Sequence, residues 1–282
     1  MTVLETIKRS TEFFEGKGIE SARLQSELLV SHALGLSRMQ LYLQFERPLV
    51  PAEIDRIREN VRRRGRREPL QHIIGAVEFL GLRLKSDRRA LIPRPETELL
   101  VETAIALAGP APARALDLGT GSGAIALALA AAWPATEVTA VDSSPDALDL
   151  ARENAVATGL AGRVSFVRSD WFDALPEGAR FGLIVANPPY LSASEVAAAS
   201  PEVREHEPSA ALGSAGGGRA DLDAILAAAP GFLEAGGLLA LETGVGHHGE
   251  LVRLATERGF ARTESRRDLT GRDRFVFAWT GQ

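Results

Sequence analysis

Residues 115–123 read Ala-Leu-Asp-Leu-Gly-Thr-Gly-Ser-Gly, an apolar run that closes on three glycines at alternate positions. The run Ala115–Leu118 predicts a short buried strand, and Gly119, Gly121 and Gly123 let the chain turn sharply behind it. With no Cβ in the way, the backbone there can also approach a ligand closely. The Ala-rich stretch Ala124–Ala132 follows as a helix, with its free N–H groups turned toward the same spot. The spacing is G-x-G-x-G, not the G-x-G-x-x-G with which nicotinamide enzymes cradle a pyrophosphate. A tight strand-to-helix turn also uses Gly for purely local reasons, so the loop takes its meaning from its surroundings.

Outward from this loop, the chain alternates. Apolar strands are expected at Val138–Val141, Val164–Val167, Leu183–Ala186 and Leu238–Leu241, and helices at Pro95–Ala108, Pro145–Thr158 and Asp221–Ala229. That rhythm predicts an α/β fold, a doubly wound parallel sheet with helices on both faces. Ala261–Arg267 and Arg274–Thr280 follow each other closely and read as a terminal antiparallel pair. Asp142 ends the second strand, 25 residues after Asp117. An acid there accepts hydrogen bonds from both hydroxyls of a ribose, or serves merely as a helix N-cap in Asp142-Ser143-Ser144-Pro145. Paired with the glycine loop, the ribose reading prevails. The next strand ends in Ser169-Asp170-Trp171-Phe172, where Trp171 is either core or a flat surface for a purine.

The most specific motif follows the strand Gly182–Ala186: Asn187-Pro188-Pro189-Tyr190. Two prolines in succession cannot continue a sheet ladder, and they hold the backbone rigid. Asn187 offers an amide oxygen, Pro188 a backbone carbonyl and Tyr190 an aromatic face. The set suits a planar group bearing an NH2, held in plane by two acceptors and stacked on one side. Its nitrogen can then be aimed at an electrophile on the cofactor side. The 27 residues 191–217 that follow read either as a lid or substrate-docking loop, or as a decorated connection with a short helix.

The amino-terminal part differs in kind. Residues 1–75 carry 13 Lys and Arg against 10 Asp and Glu, a net of +3, whereas residues 76–282 carry 19 against 27, a net of −8. Thr2 with Glu5 forms a capping box, Gly35 can end a second helix, and Pro51 suits a first helical turn. Residues 1–75 are therefore expected to form a helical domain, residues 76–91 a β-hairpin linker around Gly81, and residues 92–282 the sheet domain. Between Arg56 and Arg67 stand seven arginines and one Glu, either a solvated helix face running into a domain boundary or a docking surface for an acidic partner or nucleic acid.

Composition excludes several classes. There is no Cys, which removes disulfide scaffolds, thiolate nucleophiles, Cys-bound zinc and iron–sulfur clusters. No run of 18 apolar residues could span a membrane. The opening MTVLETIKRS is charged where a signal peptide needs an apolar core, so a cytoplasmic protein is expected.

Asp117-x-Gly119-x-Gly121-x-Gly123, Asp142 and Asn187-Pro188-Pro189-Tyr190 together resemble the S-adenosylmethionine-dependent class I methyltransferases that modify amino groups. Within them the chain is similar to the protein glutamine N5-methyltransferases, above all those acting on bacterial peptide chain release factors. Ile92-Pro93-Arg94-Pro95-Glu96-Thr97-Glu98 looks like that family's signature. Glu68–Gly75, Glu207-Pro208 with Ala211-Leu212, and Asp268-Leu269-x-Gly271-x-Asp273-Arg274 extend the likeness over nearly the whole chain, most weakly in residues 1–65. One departure stands out: the family pattern has a Gln after Glu242-x-Gly244, and here His247 stands nearby instead.

The resemblance implies a seven-stranded class I methyltransferase sheet and methylation of the Gln in the Gly-Gly-Gln motif of class I release factors. S-adenosylmethionine would be the donor and S-adenosylhomocysteine the product, with no metal, since a sulfonium is already activated. It places the cofactor on Asp117, Gly119, Thr120, Gly121, Ser122, Gly123, Asp142, Trp171 and Asn187. The substrate side would be Asn187, Pro188, Pro189 and Tyr190, of which Asn187, Pro188 and Tyr190 would be catalytic. The implied partner is a release factor, with no membrane and no stable nucleic-acid complex. A DNA or RNA amino-methyltransferase would share the Asn-Pro-Pro-Tyr pocket but usually needs a broad basic surface. A ribosomal-protein glutamine methyltransferase is a closer rival, disfavoured by the Pro93–Glu98 run. A non-catalytic cofactor-binding module is disfavoured by the intact Asn187–Tyr190 motif.

Overall fold

A computed structural model describes all 282 residues. Its packing defines two compact units, Met1–Gly75 with Ser200–His206, and Ala76–Ala199 with Glu207–Gln282. The first unit contains α1 (Val3–Gly16), α2 (Ala22–Leu34), α3 (Arg38–Tyr42), α4 (Pro51–Gly65) and α5 (Leu70–Ile74). Its helix ends follow local chemistry. The Thr2 hydroxyl accepts from the Glu5 N–H while the Glu5 carboxylate accepts from the Thr2 N–H, at 3.2 and 2.9 Å. Gly35 closes α2 in the left-handed conformation, at φ 66°. Val3, Ile7, Val30, Leu41 and Ile57 are buried together, so each helix hides one stripe and leaves the rest polar.

Part of the arginine run is consumed inside this unit. Arg64 is buried and donates to Gln25 at 2.6 Å and to Glu202 at 2.7 Å. Arg67 pairs with the same Glu202 at 3.0 Å, and Arg63 grips Glu68 through two bonds of 2.8 and 2.6 Å. Arg58 and Arg62 make exposed pairs with Asp55 and Glu59, of a kind that contributes little. Three of the seven arginines therefore brace the unit, and the other four, Arg56, Arg58, Arg62 and Arg66, are exposed.

The second unit begins with a hairpin, β1 (Ala76–Phe79) and β2 (Leu82–Lys85). Leu80 and Gly81 both have positive φ at its two-residue turn, the pattern that matches strand twist. Phe79 and Leu84 are buried in the main core, so the hairpin belongs to the sheet unit rather than standing free as a linker. Then follow α6 (Pro95–Ala108), β3 (Arg114–Leu118), α7 (Ala124–Ala132), β4 (Glu137–Asp142), α8 (Pro145–Ala157), β5 (Val164–Arg168) and β6 (Phe181–Ala186). Residues 191–217 are not a bare loop. They hold α9 (Ala193–Ala198), α10 (Pro201–His206), a 3-10 turn at Ser209–Ala211 and the start of α11 (Ala215–Gly218), and α10 groups with the first unit. The chain closes with α12 (Ala220–Ala228), β7 (Leu233–Glu242), α13 (His248–Glu257), β8 (Arg262–Arg267) and β9 (Asp273–Trp279).

The seven-stranded sheet runs β5-β4-β3-β6-β7-β9-β8, parallel except for β9 and its neighbours, where the pairing is antiparallel. Side chains alternate across it. Leu116, Leu118, Ile184 and Ala186 meet Leu222, Leu226 and Leu251 on one face. Ala115, Leu183 and Val185 meet Leu100, Val101 and the apolar side of α7 on the other. Burial on both faces explains why the strands read as continuous apolar runs. Each buried Leu or Val contributes roughly 1.5–3 kcal/mol by leaving water. Strand order reverses between β3 and β6, so the loops leaving them diverge and open a crevice at their carboxyl ends.

Candidate active site

A cleft of about 270 Å³ lies at that crevice. Gly119, Thr120, Gly121 and Ser122 line it from β3, Asp142 from β4, Trp171 from the end of β5, and Asn187 with Pro189 from β6. Gly119, Gly121 and Gly123 all have positive φ, at 70°, 53° and 85°. At Gly123 a Cβ would stand 3.1 Å from that of Ala151, so both the conformation and the space demand glycine. The Trp171 ring lies against Gly119, where an added Cβ would meet it at 3.3 Å. Trp171 itself has φ 42° and donates its indole N–H to Asp221 at 3.2 Å. Asp221 also lines the cleft, and nothing near it in the chain marked it as a site residue.

The two acids have distinct places. Asp142 accepts from the Gly121 N–H and the Ser144 N–H, each at 2.9 Å, and so ties the glycine loop to the end of β4. The cap of α8 is Ser144 rather than Asp142. Burial raises the Asp142 carboxyl, against the lowering by these N–H groups. Asp117 does not line the cleft. It lies fully buried beneath the loop, where its Oδ2 accepts from the Thr120 hydroxyl at 2.6 Å and the Ala126 N–H at 3.1 Å. Its Oδ1 has no partner. Burial pushes this carboxyl up to about 7, and the charge of Asp142 acts in the same direction.

Asn187, Pro188, Pro189 and Tyr190 leave β6 without further ladder bonds. Pro188 is buried and off the cleft surface, and Tyr190 also lies off it. Asn187 donates its Nδ2 to the Thr97 hydroxyl oxygen at 3.1 Å. Thr97 donates in turn to Glu242 Oε2 at 2.7 Å, and the Tyr190 hydroxyl donates to Glu242 Oε1 at 3.0 Å. Thr97 and Glu242 are both buried. Burial raises the Glu242 carboxyl, opposed by these two hydroxyls, and burial together with the Glu242 charge raises the Tyr190 phenol. Arg274 lies over the Tyr190 ring at 5.8 Å.

Other predicted segments find structural tasks. Arg94 clamps the buried Glu207 at 2.7 and 2.8 Å, which joins two stretches of the family likeness. His247 stands at the N-cap of α13 with its ring against Gly244, while His248 is buried between the hydroxyls of Thr243 and Ser265. Thr97 and Glu242 stand within motifs of the family likeness, and their bonds to Asn187 and Tyr190 emerge only in the fold.

The family model of the PrmC N-terminal domain matches residues 5–75, and that of the methyltransferase small domain matches residues 95–205. A release factor glutamine methyltransferase of Geobacter sulfurreducens is 42% identical, covering 98% of this chain and 95% of the relative. That of Deinococcus radiodurans is also 42% identical, covering 99% and 98%. This chain belongs to the release factor glutamine methyltransferase family. Among solved structures, the T. thermophilus 16S rRNA N2 G1207 methyltransferase superposes with a TM-score of 0.54 at 23% identity, covering 73% of this chain and 49% of that one. The hMettl16 catalytic domain does so with a TM-score of 0.55 at 16% identity, covering 72% and 77%. At such identities these likenesses establish the fold alone, that of class I methyltransferases. No helix is long and apolar enough to cross a membrane.

Proposed function

We propose that the enzyme methylates the side-chain amide nitrogen, N5, of the Gln in the Gly-Gly-Gln motif of class I peptide chain release factors. S-adenosylmethionine is the donor and S-adenosylhomocysteine the product. The residues present suit that cofactor. At Gly119 and Gly121, which line the cleft, a side chain would project toward Trp171 and Ala90 of the same lining, and Asp142 supplies a carboxylate at its rim. The unpartnered Asp117 Oδ1 is an acceptor suited to the cofactor's ammonium. Trp171 offers a flat apolar surface to the adenine. When bound, the cofactor supplies a methyl group on a sulfonium.

The observation that carries the reading is the facing of Asn187. Its NH2 is engaged by Thr97, so its Oδ1 is the end offered to a substrate. An amide nitrogen is a poor nucleophile because its lone pair is delocalised into the carbonyl. Asn187 Oδ1, which lines the cleft, accepts from the substrate NH2 and favours positive charge as it develops on nitrogen. The rigid Pro188-Pro189 backbone keeps Asn187 in place, and such positioning can lower a barrier by roughly 7–11 kcal/mol. Methylated nitrogen is acidic, so its surplus proton leaves readily afterwards and no strong base is needed.

The test is methyl transfer from labelled S-adenosylmethionine to purified release factor, ribosomal protein, DNA and tRNA, each offered separately. Label should enter the release factor, and replacing the Gln of its Gly-Gly-Gln motif by Ala should abolish it. Label in nucleic acid and not in release factor would overturn the proposal.

A further inference from the structure

Both arms of the Asn187–Tyr190 tetrapeptide end on one buried carboxylate, that of Glu242, which is only 1% exposed. Thr97 stands between it and Asn187, with bonds of 2.7 Å on one side and 3.1 Å on the other. A hydroxyl carries a single hydrogen. When ionised, the carboxylate can only accept, and in that state the Thr97 hydrogen points to Glu242 and its oxygen accepts from Asn187. The NH2 end of the Asn187 amide is the end that fits. Rotated by half a turn, Asn187 would set its carbonyl oxygen against the Thr97 oxygen, or draw the Thr97 hydrogen away and leave Glu242 short of a donor. A buried polar group without its partner costs about 1–3 kcal/mol, more when charged.

We propose that Thr97 and Glu242 are positioning residues that lock the facing of the Asn187 amide, so that an acceptor rather than a donor meets the substrate. Glu242 holds Tyr190 by the same means, so one carboxylate registers the polar acceptor and the aromatic ring together. The arrangement selects a substrate that donates: a primary amide presented through NH2 is accepted, and one presented through its carbonyl is refused. This inference rests on the proposed function, and its test separates the two.

Thr97→Val keeps the shape and removes the hydroxyl, whereas Thr97→Ser keeps the hydroxyl and removes a methyl. Methyl transfer to release factor is measured as kcat and KM, cofactor affinity by calorimetry and thermal stability alongside. The Thr97→Val variant should lose kcat by roughly 10- to 100-fold, the range seen when a supporting hydrogen bond is removed from a site. Its cofactor Kd should stay within about twofold of wild type, and Thr97→Ser should restore most of the kcat. A Thr97→Val variant with unchanged kcat, or a Thr97→Ser variant equally impaired, overturns the inference. If Thr97→Val does not fold, the Asn187 side-chain NH2 of the wild-type enzyme gives the answer by NMR. One slowly exchanging proton supports the bond to Thr97, and two rapidly exchanging protons refute it. A wild-type enzyme that transfers no methyl to release factor defeats the functional reading instead.

Discussion

The glycine loop and the Asn187–Tyr190 segment face the same cleft, but the chain holds them in different ways. The loop is secured by partners close in sequence. Thr120 lies three residues from Asp117, Ala126 lies nine from it, and Gly121 lies 21 from Asp142. The Asn187 segment depends on Thr97, 90 residues away, while its Tyr190 reaches Glu242 across 52 residues and Thr97 reaches Glu242 across 145. The loop also works chiefly through backbone conformation, and the segment through side-chain hydrogen bonds. A cofactor common to many enzymes can be held by one short device. A particular protein side chain needs donors and acceptors brought together from several elements.

Three substitutions and one control probe that contrast. The largest effect is expected at Asn187. Asn187→Ala removes the acceptor for the substrate NH2 and should lower kcat about 10²- to 10³-fold, the loss seen when one preorganised hydrogen-bonding group is deleted. Cofactor affinity, measured by calorimetry, should change little, since the loop is secured separately. An equal loss of both would show that the two sides are not independent.

On the loop side, Gly123→Ala combines a positive φ of 85° with a Cβ only 3.1 Å from Ala151. Left-handed strain plus overpacking should cost about 2 kcal/mol or more, read from the midpoint of urea unfolding without cofactor. Gly178→Ala is the control, because Gly178 also has a positive φ, of 76°, but open space around it. It should cost only the conformational part, about 1–2 kcal/mol. Equal losses would mean that the packing of Gly123 on Ala151 contributes nothing.

The smallest effect, taken per pH unit, concerns Asp117 and is seen as a slope with pH. Its folded pKa, about 7, lies above the ordinary value of 3.8. Between those values the unfolded chain has released a proton that the folded protein still holds, so the cofactor-free enzyme loses stability as pH rises through that window and levels off above it. Asp117→Asn lacks this titration. The difference in unfolding free energy between wild type and variant should shift toward the variant by up to about 1.4 kcal/mol per pH unit. Parallel curves for the two proteins from pH 4 to 8 would refute the assigned burial cost. The same substitution should weaken cofactor binding, where the lone Oδ1 is proposed to act.

Much of the fold was legible because strands and helices announce themselves over a few residues. Pro95–Ala108 and Ala124–Ala132 form helices with those limits, and every expected strand appears within a few residues of its place. The helix α13 was not anticipated, although Leu251, Leu254 and Ala255 recur at helical spacing within it. A connection with a short helix was one of the two readings of residues 191–217, and several short helices stand there. Their composition is polar and small, and Gly218 lies so close to the Tyr190 carbonyl that no Cβ would fit, a constraint invisible to local pattern.

By itself the sequence determined the α/β class, the glycine turn, the acid at the end of β4 and the Asn-Pro-Pro-Tyr segment. Each of these depends on backbone preference or on residues adjacent in the chain. Only the tertiary structure decided that Thr97 and Glu242 serve Asn187, that Asp221 holds Trp171, and that Arg64 turns inward to Glu202. Hydrogen bonds and ion pairs across 50 or more residues leave no periodic trace in the chain. They depend on which side chains the folded sheet brings within about 3 Å, and that proximity exists only once the strands have paired.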